Sequence, residues 1–278
     1  MRWRDIPAAL VIATHPAIEP ISRAEAKLHA RMDHADEDHL IDLYIAAARR
    51  QIEKDTARTP VNTVYDLTVD RFPEERSIPF PRFPVSSVAS VKSYDEDDTE
   101  STFAAGDYYV DTALHRLVLN DDATWPSDLR RHSAGVIRFT AGGNGTPFSI
   151  SAIAVAGTTP NIVATATAAA HGRTTGDRVT VAGSDQDALN GTFPITVVDA
   201  NSFTYPVVSG SPGAHASGTV TGRLLNLPET HRLAMLMLIA HFAANRGAVE
   251  RLAGAQAVEM PLGYCALIGG ADRVYAMA

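Results

Sequence analysis

The sequence predicts an α+β protein: a helical core with a small antiparallel β-sheet, into which an all-β domain is inserted. Three observations lead to this prediction. Apolar residues recur at helical spacing near both ends of the chain, and apolar and polar residues alternate between those ends. From about residue 147 to residue 222, threonine, alanine, glycine and valine dominate and charges are scarce. The predicted core is therefore discontinuous, comprising residues 1–146 and 223–278, and the predicted inserted β domain comprises residues 147–222.

Two helices are predicted before Pro60. The segment Ser22-Arg23-Ala24-Glu25 has the form of a capping box, in which the serine and glutamate side chains satisfy free N–H groups of the first turn. A helix should therefore run from residue 22 to about 32. Apolar residues at helical spacing predict a second helix over residues 37–58, which Pro60 stops. The polar face of this second helix is expected to carry Arg49, Arg50, Glu53 and Lys54.

Strands are predicted between the second helix and the inserted domain. Residues 64–69 alternate between apolar and polar, as in a half-buried strand. Three prolines between residues 78 and 84 exclude a central strand and favour an extended edge or arm. Further strands are predicted over residues 85–94, 108–120 and 136–140.

The inserted domain has the pattern of a small separate β domain. Short β-prone runs alternate with turn signals such as Gly176-Asp177 and Asn190-Gly191. A helix is conceivable only around residues 185–189. The predicted strands are residues 162–167, 178–181, 192–198, 202–207 and 218–223.

A further helix is predicted to begin at Pro228, because proline is favourable in the first turn of a helix. The segment up to Asn245 is apolar nearly all round, so other elements should enclose it. We predict it to be the central core helix, with Leu233, Leu236, Ile239 and Phe242 as core residues. The tail over residues 248–278 is apolar but irregular and glycine-rich, which is typical of a segment that docks onto something else.

Composition and charge exclude several classes of function. The net charge is −8 and lysine and arginine do not cluster, so tight sequence-independent binding of nucleic acid is not expected. The single cysteine, Cys265, cannot form an intrachain disulfide. The N-terminal residues lack the apolar run of a signal peptide, and the most apolar stretch, residues 233–240, is far shorter than the roughly 20 residues of a membrane span.

No motif predicts catalysis, a cofactor or a metal. The histidines at 29, 34 and 39 recur every five residues and do not share a helix face. Residues 95–100 are acidic but lack the glycine and the terminal glutamate of a calcium loop. Cys265 lies in an apolar setting that favours an inert thiol over a nucleophile, and the glycines of residues 142–145 favour a hinge over a phosphate loop. We therefore expect a structural protein and not an enzyme.

Several segments, in their order along the chain, resemble one known family. They are residues 21–27, 36–49, 65–73, 78–88, 107–111, 240–248 and 261–263. Together they are similar to the head–tail connector, or adaptor, family of long-tailed phages, over roughly residues 17–143 and 225–270. The inserted stretch resembles small β modules of phage structural proteins through His171-Gly172, residues 175–179, Asn190-Gly191-Thr192-Phe193 and residues 198–204. Most members of the connector family lack this stretch.

The resemblance implies a helical connector core and a structural virion protein in the particle's neck, assembled in the bacterial host cytoplasm. It implies a homo-oligomeric ring, usually of twelve copies, beneath the portal protein, with tail or stopper proteins on its other side. Double-stranded DNA would pass through the ring without specific binding, which suits an acidic chain. No catalytic or cofactor residues are implied, and no membrane is involved.

The irregular tail is the segment expected to contact the portal or a neighbouring subunit, because large apolar side chains dominate interfaces. Its proposed anchors are Pro261, Leu262, Tyr264, Leu267 and Ile268. These residues could instead close the subunit's own core. Two other functions stay open: a tail-completion or decoration subunit, and a carbohydrate-binding accessory protein acting through the β domain, for which exposed aromatic residues at a groove would be needed.

Overall fold

A computed structural model describes most of the chain, namely residues 6–16, 18–32, 34, 36–142, 147–158, 161–207, 213–214, 220–225, 227–245 and 262–269. The chain divides into two compact units. Among the described residues, the first unit comprises 6–16 and 57–142, and the second comprises 18–56 together with those from 147 to 269. The inserted domain predicted over residues 147–222 lies within the second unit.

The first unit consists of strands, and its described residues contain no helix. Five strands form an antiparallel sheet in the order β1-β2-β8-β4-β5, and three form a second sheet in the order β3-β7-β6. The strands are β1 (Ala8–Thr14), β2 (Thr63–Val69), β3 (Ser77–Pro79), β4 (Val85–Tyr94), β5 (Glu100–Thr102), β6 (Tyr108–Asp111), β7 (Arg116–Leu119) and β8 (Gly135–Ala141).

Alternation along these strands builds the core of the first unit. Every second residue of β2 is buried, as its sequence pattern predicts. Tyr65 stacks on Phe139 of β8 with ring centroids 5.5 Å apart, and Phe80 lies 4.6 Å from the same ring. The proline-rich segment contributes only the three-residue edge strand β3, because proline lacks the N–H of a central strand.

The second unit contains helices and a two-sheet β module. Its helices are α1 (Arg23–Ala30), α2 (Asp38–Thr56), α3 (Glu229–Ala244) and α4 (Leu262–Gly269). The Ser22 hydroxyl accepts a hydrogen bond from the backbone N–H of Glu25, which confirms the predicted start of α1. In α3, Leu236, Leu238 and Ile239 are buried, as expected for a helix that other elements enclose.

The β module has two four-stranded antiparallel sheets, ordered β10-β11-β15-β14 and β13-β12-β16-β9. They share a continuous apolar core that includes Phe193, Phe203 and Tyr205. A single 3-10 turn, Asp187–Leu189, stands where a short helix was conceivable. The strands are β9 (Phe148–Ile150), β10 (Ala152–Ala156), β11 (Ile162–Thr167), β12 (Arg178–Ala182), β13 (Gly191–Pro194), β14 (Thr196–Asp199), β15 (Ser202–Val207) and β16 (Val220–Leu224).

The predicted fold class is wrong in its proportion of helix to strand. The protein is mostly β, with 38% strand and 23% helix, and its described residues form four antiparallel sheets where a helical connector core with one small sheet was expected. The error arises mainly between residues 57 and 142, where short strands separated by turns form two sheets together with β1. Strand β1 was not predicted, because residues 8–13 are all apolar and therefore show no alternation of apolar and polar residues.

Candidate functional site

The residues predicted to contact the portal or a neighbouring subunit lie on or next to α4. Tyr264 is buried within its own subunit, where its phenol donates a 2.6 Å hydrogen bond to Oδ2 of Asp55 on α2. Leu267 and Ile268 are half-buried. Pro261 lies outside the described residues, and so does the side chain of Leu262. The structure thus places one proposed anchor inside the subunit and leaves two partly accessible, while contact with a portal or a neighbour stays a prediction.

Close packing fixes α4 against α3. A Cβ atom at Gly263 would lie 2.8 Å from Cε of Met237, so glycine permits this approach. On α3, Ile239 has no exposed surface and Phe242 is half-buried, with its ring 6.2 Å from that of Tyr44 on α2. Leu233 is 44% exposed and contributes less to the core than the buried Leu236. The four residues predicted for the core of this helix therefore differ in burial.

An ion-pair network connects α1, α3 and β12. Glu229 pairs with Arg178 through Nε at 2.6 Å and with Arg232 through Nη1 at 3.5 Å. Arg232 also binds the Glu25 carboxylate. The glutamate of the predicted capping box therefore pairs with α3, whereas the prediction had its side chain bind the first turn of α1. Burial raises the pKa of the Glu25 carboxyl above its ordinary value, although the positive charge of Arg232 opposes this. The network ties the β module to two helices.

A buried ion group on α2 was missed by the sequence analysis. Arg49, expected on the polar outer face of α2, is buried and donates through Nε to Glu19 at 2.7 Å and through Nη1 to Glu53 at 3.0 Å. Burial alone would lower the pKa of Arg49, but hydrogen bonds and charge from both glutamates raise it. The spacing of Arg49 and Glu53, four residues apart, was a readable signal of an ion pair but gave no hint of burial.

A cleft of about 760 Å³ opens between α1, α2 and the β12–β13 edge of the β module. Its lining mixes apolar side chains, such as Ile21 and Ile45, with charges that already pair with each other. Lys27 lies 2.7 Å from Asp38 and Arg23 lies 2.6 Å from Asp42. Because these charges neutralise one another, the cleft favours no particular ligand charge.

The structure describes only some of the remaining sequence candidates. Among the described residues no group of histidine, cysteine, aspartate and glutamate is placed to hold a metal ion. In the acidic turn, Oδ1 of Asp95 accepts hydrogen bonds from the backbone of Asp97 and Thr99, so the carboxylate caps its own turn. The side chain of Cys265 and residues 143–145 lie outside the described part of the chain.

The aromatic residues of the β module are part of its core. Phe193, Phe203 and Tyr205 are all buried, and Tyr205 donates through its hydroxyl to the carbonyl of Leu189 at 3.3 Å. Burial also raises the pKa of Tyr205, which keeps the hydroxyl protonated as a donor. These three rings are therefore not available to stack on a sugar. No helix in the described part of the chain has both the length and the hydropathy to cross a membrane.

The described residues form a β-rich fold stabilised by ion pairs and apolar packing. Neither a protein-family model nor a curated protein sequence matches the chain. Chains of gene transfer agent (GTA) particles are among the solved structures with a similar fold. One is a chain of the neck of an empty GTA particle computed with C6 symmetry, at 17% identity. The others belong to the virion of a native GTA particle, at 19%, and to the neck of a native GTA particle computed with C12 symmetry, at 18%.

Each of these likenesses has a TM-score of 0.51 and covers 94% of this chain and 93% of the other. The chain therefore shares a fold with chains found in necks and virions of GTA particles. The coverage leaves 6% of 278 residues, or about 17, unmatched, which is fewer than the 76 residues of the stretch 147–222. The match therefore includes most of the β module.

Proposed function

We propose that this chain is a structural subunit of the neck of a phage-like particle, where copies of it form a ring between the portal and the tail. The observation that carries this proposal is the fold shared with GTA neck chains over 94% of the sequence. Two of those necks are described with C6 and C12 symmetry, which are the symmetries of closed rings. At 17–19% identity, the likeness supports the fold, and the position in the particle is our proposal.

The charge of the chain fits a ring with a DNA channel. Its net charge of −8 would repel the phosphate backbone, so double-stranded DNA would pass through without adhering. In this role the protein is assembled in the bacterial host cytoplasm, resides in the virion neck and contacts the portal on one side and tail or stopper proteins on the other.

The proposed portal or neighbour contact is the outward surface of α4. Burial of Tyr264 against Asp55 holds α4 on its own subunit, while Leu267 and Ile268 retain accessible apolar surface. An anchored helix with partly exposed apolar residues offers a preorganised contact, which lowers the entropy cost of association.

Mass photometry of the full chain, alone and mixed with a portal ring of the same particle, tests the proposal. Twelve copies of a 29.7 kDa chain would add about 356 kDa to the portal. A chain that stays monomeric and never joins a portal ring would contradict it. Binding to assembled tails or capsid surfaces alone would instead identify a tail-completion or decoration subunit.

A further inference from the structure

Strand β1 is an open edge of the five-stranded sheet. It pairs with β2 on one side, and no strand of the described residues pairs with its other side. Open edges invite pairing with another chain, and proteins protect them with charges, prolines, bulges or short strands. The sequence of β1, Ala8–Thr14, contains neither a charged residue nor a proline. Its bulge lies between Ile12 and Thr14, so the ladder over residues 8–12 is regular.

The hydrogen-bond pattern identifies the open main-chain groups. The backbone N–H of Asp70 donates to the carbonyl of Pro7 at 3.2 Å, so this opposed pair is hydrogen-bonded. Bonded and non-bonded pairs alternate in an antiparallel ladder. The N–H and C=O groups of Ala8, Leu10 and Ile12 therefore point away from β2, and no hydrogen bond within the described residues reaches them.

The opposite edge of the same sheet is also open along half its length. On β4, the short strand β5 pairs only with residues 92–94, and the Val91 carbonyl accepts from Phe103. Residues 86–90 have no strand on their outer side in the described part of the chain, and Ser86, Ser87 and Ala89 are exposed. Two register shifts relative to β8 lie in this stretch, between Val85 and Ser87 and between Val88 and Ser90, so its main-chain groups do not follow the regular alternation of residues 8–12.

We infer that β1 of one copy adds to the open half of β4 of the next copy, so that the sheet continues from subunit to subunit around the ring. This inference rests on the proposed ring. A cyclic ring with more than two copies needs two different complementary surfaces on each subunit, and the two sheet edges supply them. Direction also fits: the strands alternate along β1, β2, β8 and β4, so a β1 placed beside β4 with its direction kept is antiparallel to it.

Side chains on β1 suit this role. Val11 is 58% exposed, whereas Leu10 and Ile12 pack against the unit's own core. A strand added beside β1 would cover Val11 and would pair the free groups of Ala8, Leu10 and Ile12, as in other cases of strand addition.

Assembly onto a portal ring tests the inference. Val11→Lys places a charge on the open edge without disturbing the core, and we expect it to reduce ring assembly at least tenfold in mass photometry. Val198→Lys is the matched control, since Val198 is 62% exposed on β14, an edge strand of the β module. Ala8→Pro removes an outward N–H without breaking the β1–β2 ladder, and should also block assembly while leaving the monomer's thermal unfolding within a few degrees of wild type.

Crosslinking tests the partner edge. In a Cys265→Ser background, mixing a Val11→Cys chain with a Ser87→Cys or Ser90→Cys chain should give crosslinked pairs under mild oxidation, and neither preparation alone should do so. Rings that form equally well with Val11→Lys and Ala8→Pro would overturn the inference and leave the proposed function standing. Failure of both mixtures to crosslink would overturn the β4 assignment. A wild-type chain that never assembles would overturn the proposed function, and the inference with it.

Discussion

At the scale of single residues, α3 shows how burial and exposure alternate on one apolar helix. Ile239 has no exposed surface, whereas Leu233, six residues earlier, is 44% exposed. The sequence alone assigned both to the core, because an all-apolar helix carries no polar stripe that marks its outer side. Substitution by a charged residue separates the two positions.

Ile239→Asp should destabilise the fold by several kcal/mol, on the order of 3 to 5, because it removes a buried side chain and buries an unpaired carboxylate. Chemical denaturation of the full chain measures the loss. Leu233→Asp is the matched control on the same helix, with an expected loss below about 1 kcal/mol. A near-native free energy of unfolding for Ile239→Asp would show that this face of α3 is not enclosed.

At the scale of elements, α4 packs on its own subunit and is also the proposed contact with the portal or a neighbour. Gly263 approaches Met237 closely, and Tyr264 reaches Asp55 on α2 across 209 residues of sequence. These contacts hold the helix in place, while the half-buried Leu267 and Ile268 leave apolar surface for a partner.

Deleting residues 261–278 should yield a folded subunit of lower stability that no longer joins portal rings. Circular dichroism checks the fold and mass photometry the assembly. Tyr264→Phe is the control: it removes the hydrogen bond to Asp55, at a cost of about 1 to 3 kcal/mol, but keeps the apolar packing and should still assemble. An unfolded truncation would mean that α4 chiefly closes the subunit's own core. A truncation that assembles normally would contradict both roles.

At the scale of the whole molecule, the β module has its own core. Every residue of its buried cluster lies between residues 148 and 220, from Ile150 to Val220 with Phe148 packed at the edge. The Arg178–Glu229 ion pair connects the module to α3, and the Glu229 side chain is largely exposed. Exposed ion pairs contribute at most about 1 kcal/mol, so the stability of the module should depend mainly on its own packing.

Replacing residues 147–222 with a short glycine and serine linker should therefore leave a chain that still unfolds cooperatively, at a lower temperature. Thermal unfolding followed by circular dichroism measures this. Arg178→Gln in the full chain isolates the lost ion pair, and its midpoint should fall by only a few degrees. If the shortened chain has no cooperative transition at all, residues 147–222 are not a separable domain.

The helix and strand positions were largely readable from the sequence. The repeat of apolar residues identifies α2, β2, β4 and β15 from the sequence alone. Such a repeat depends only on which side of the element's own backbone is apolar, and not on distant residues. Capping at Ser22 is local for the same reason. The α4 helix was not predicted, because its eight residues are apolar throughout and show no face.

The sequence by itself determined that the chain is acidic, carries one cysteine, and has helical segments before Pro60 and after Pro228 with strand-forming segments between them. Only the tertiary structure decided the mostly β balance, the burial of Arg49 and Glu53, and the open edge of β1. The physical reason is distance along the chain. The partner of Glu25 is Arg232, 207 residues away, and a strand becomes an edge only when the order of its sheet is settled. Local sequence patterns determine the helices and strands. The partners of a charged side chain and the position of a strand in its sheet depend on residues that are distant in sequence and come together only in the folded chain.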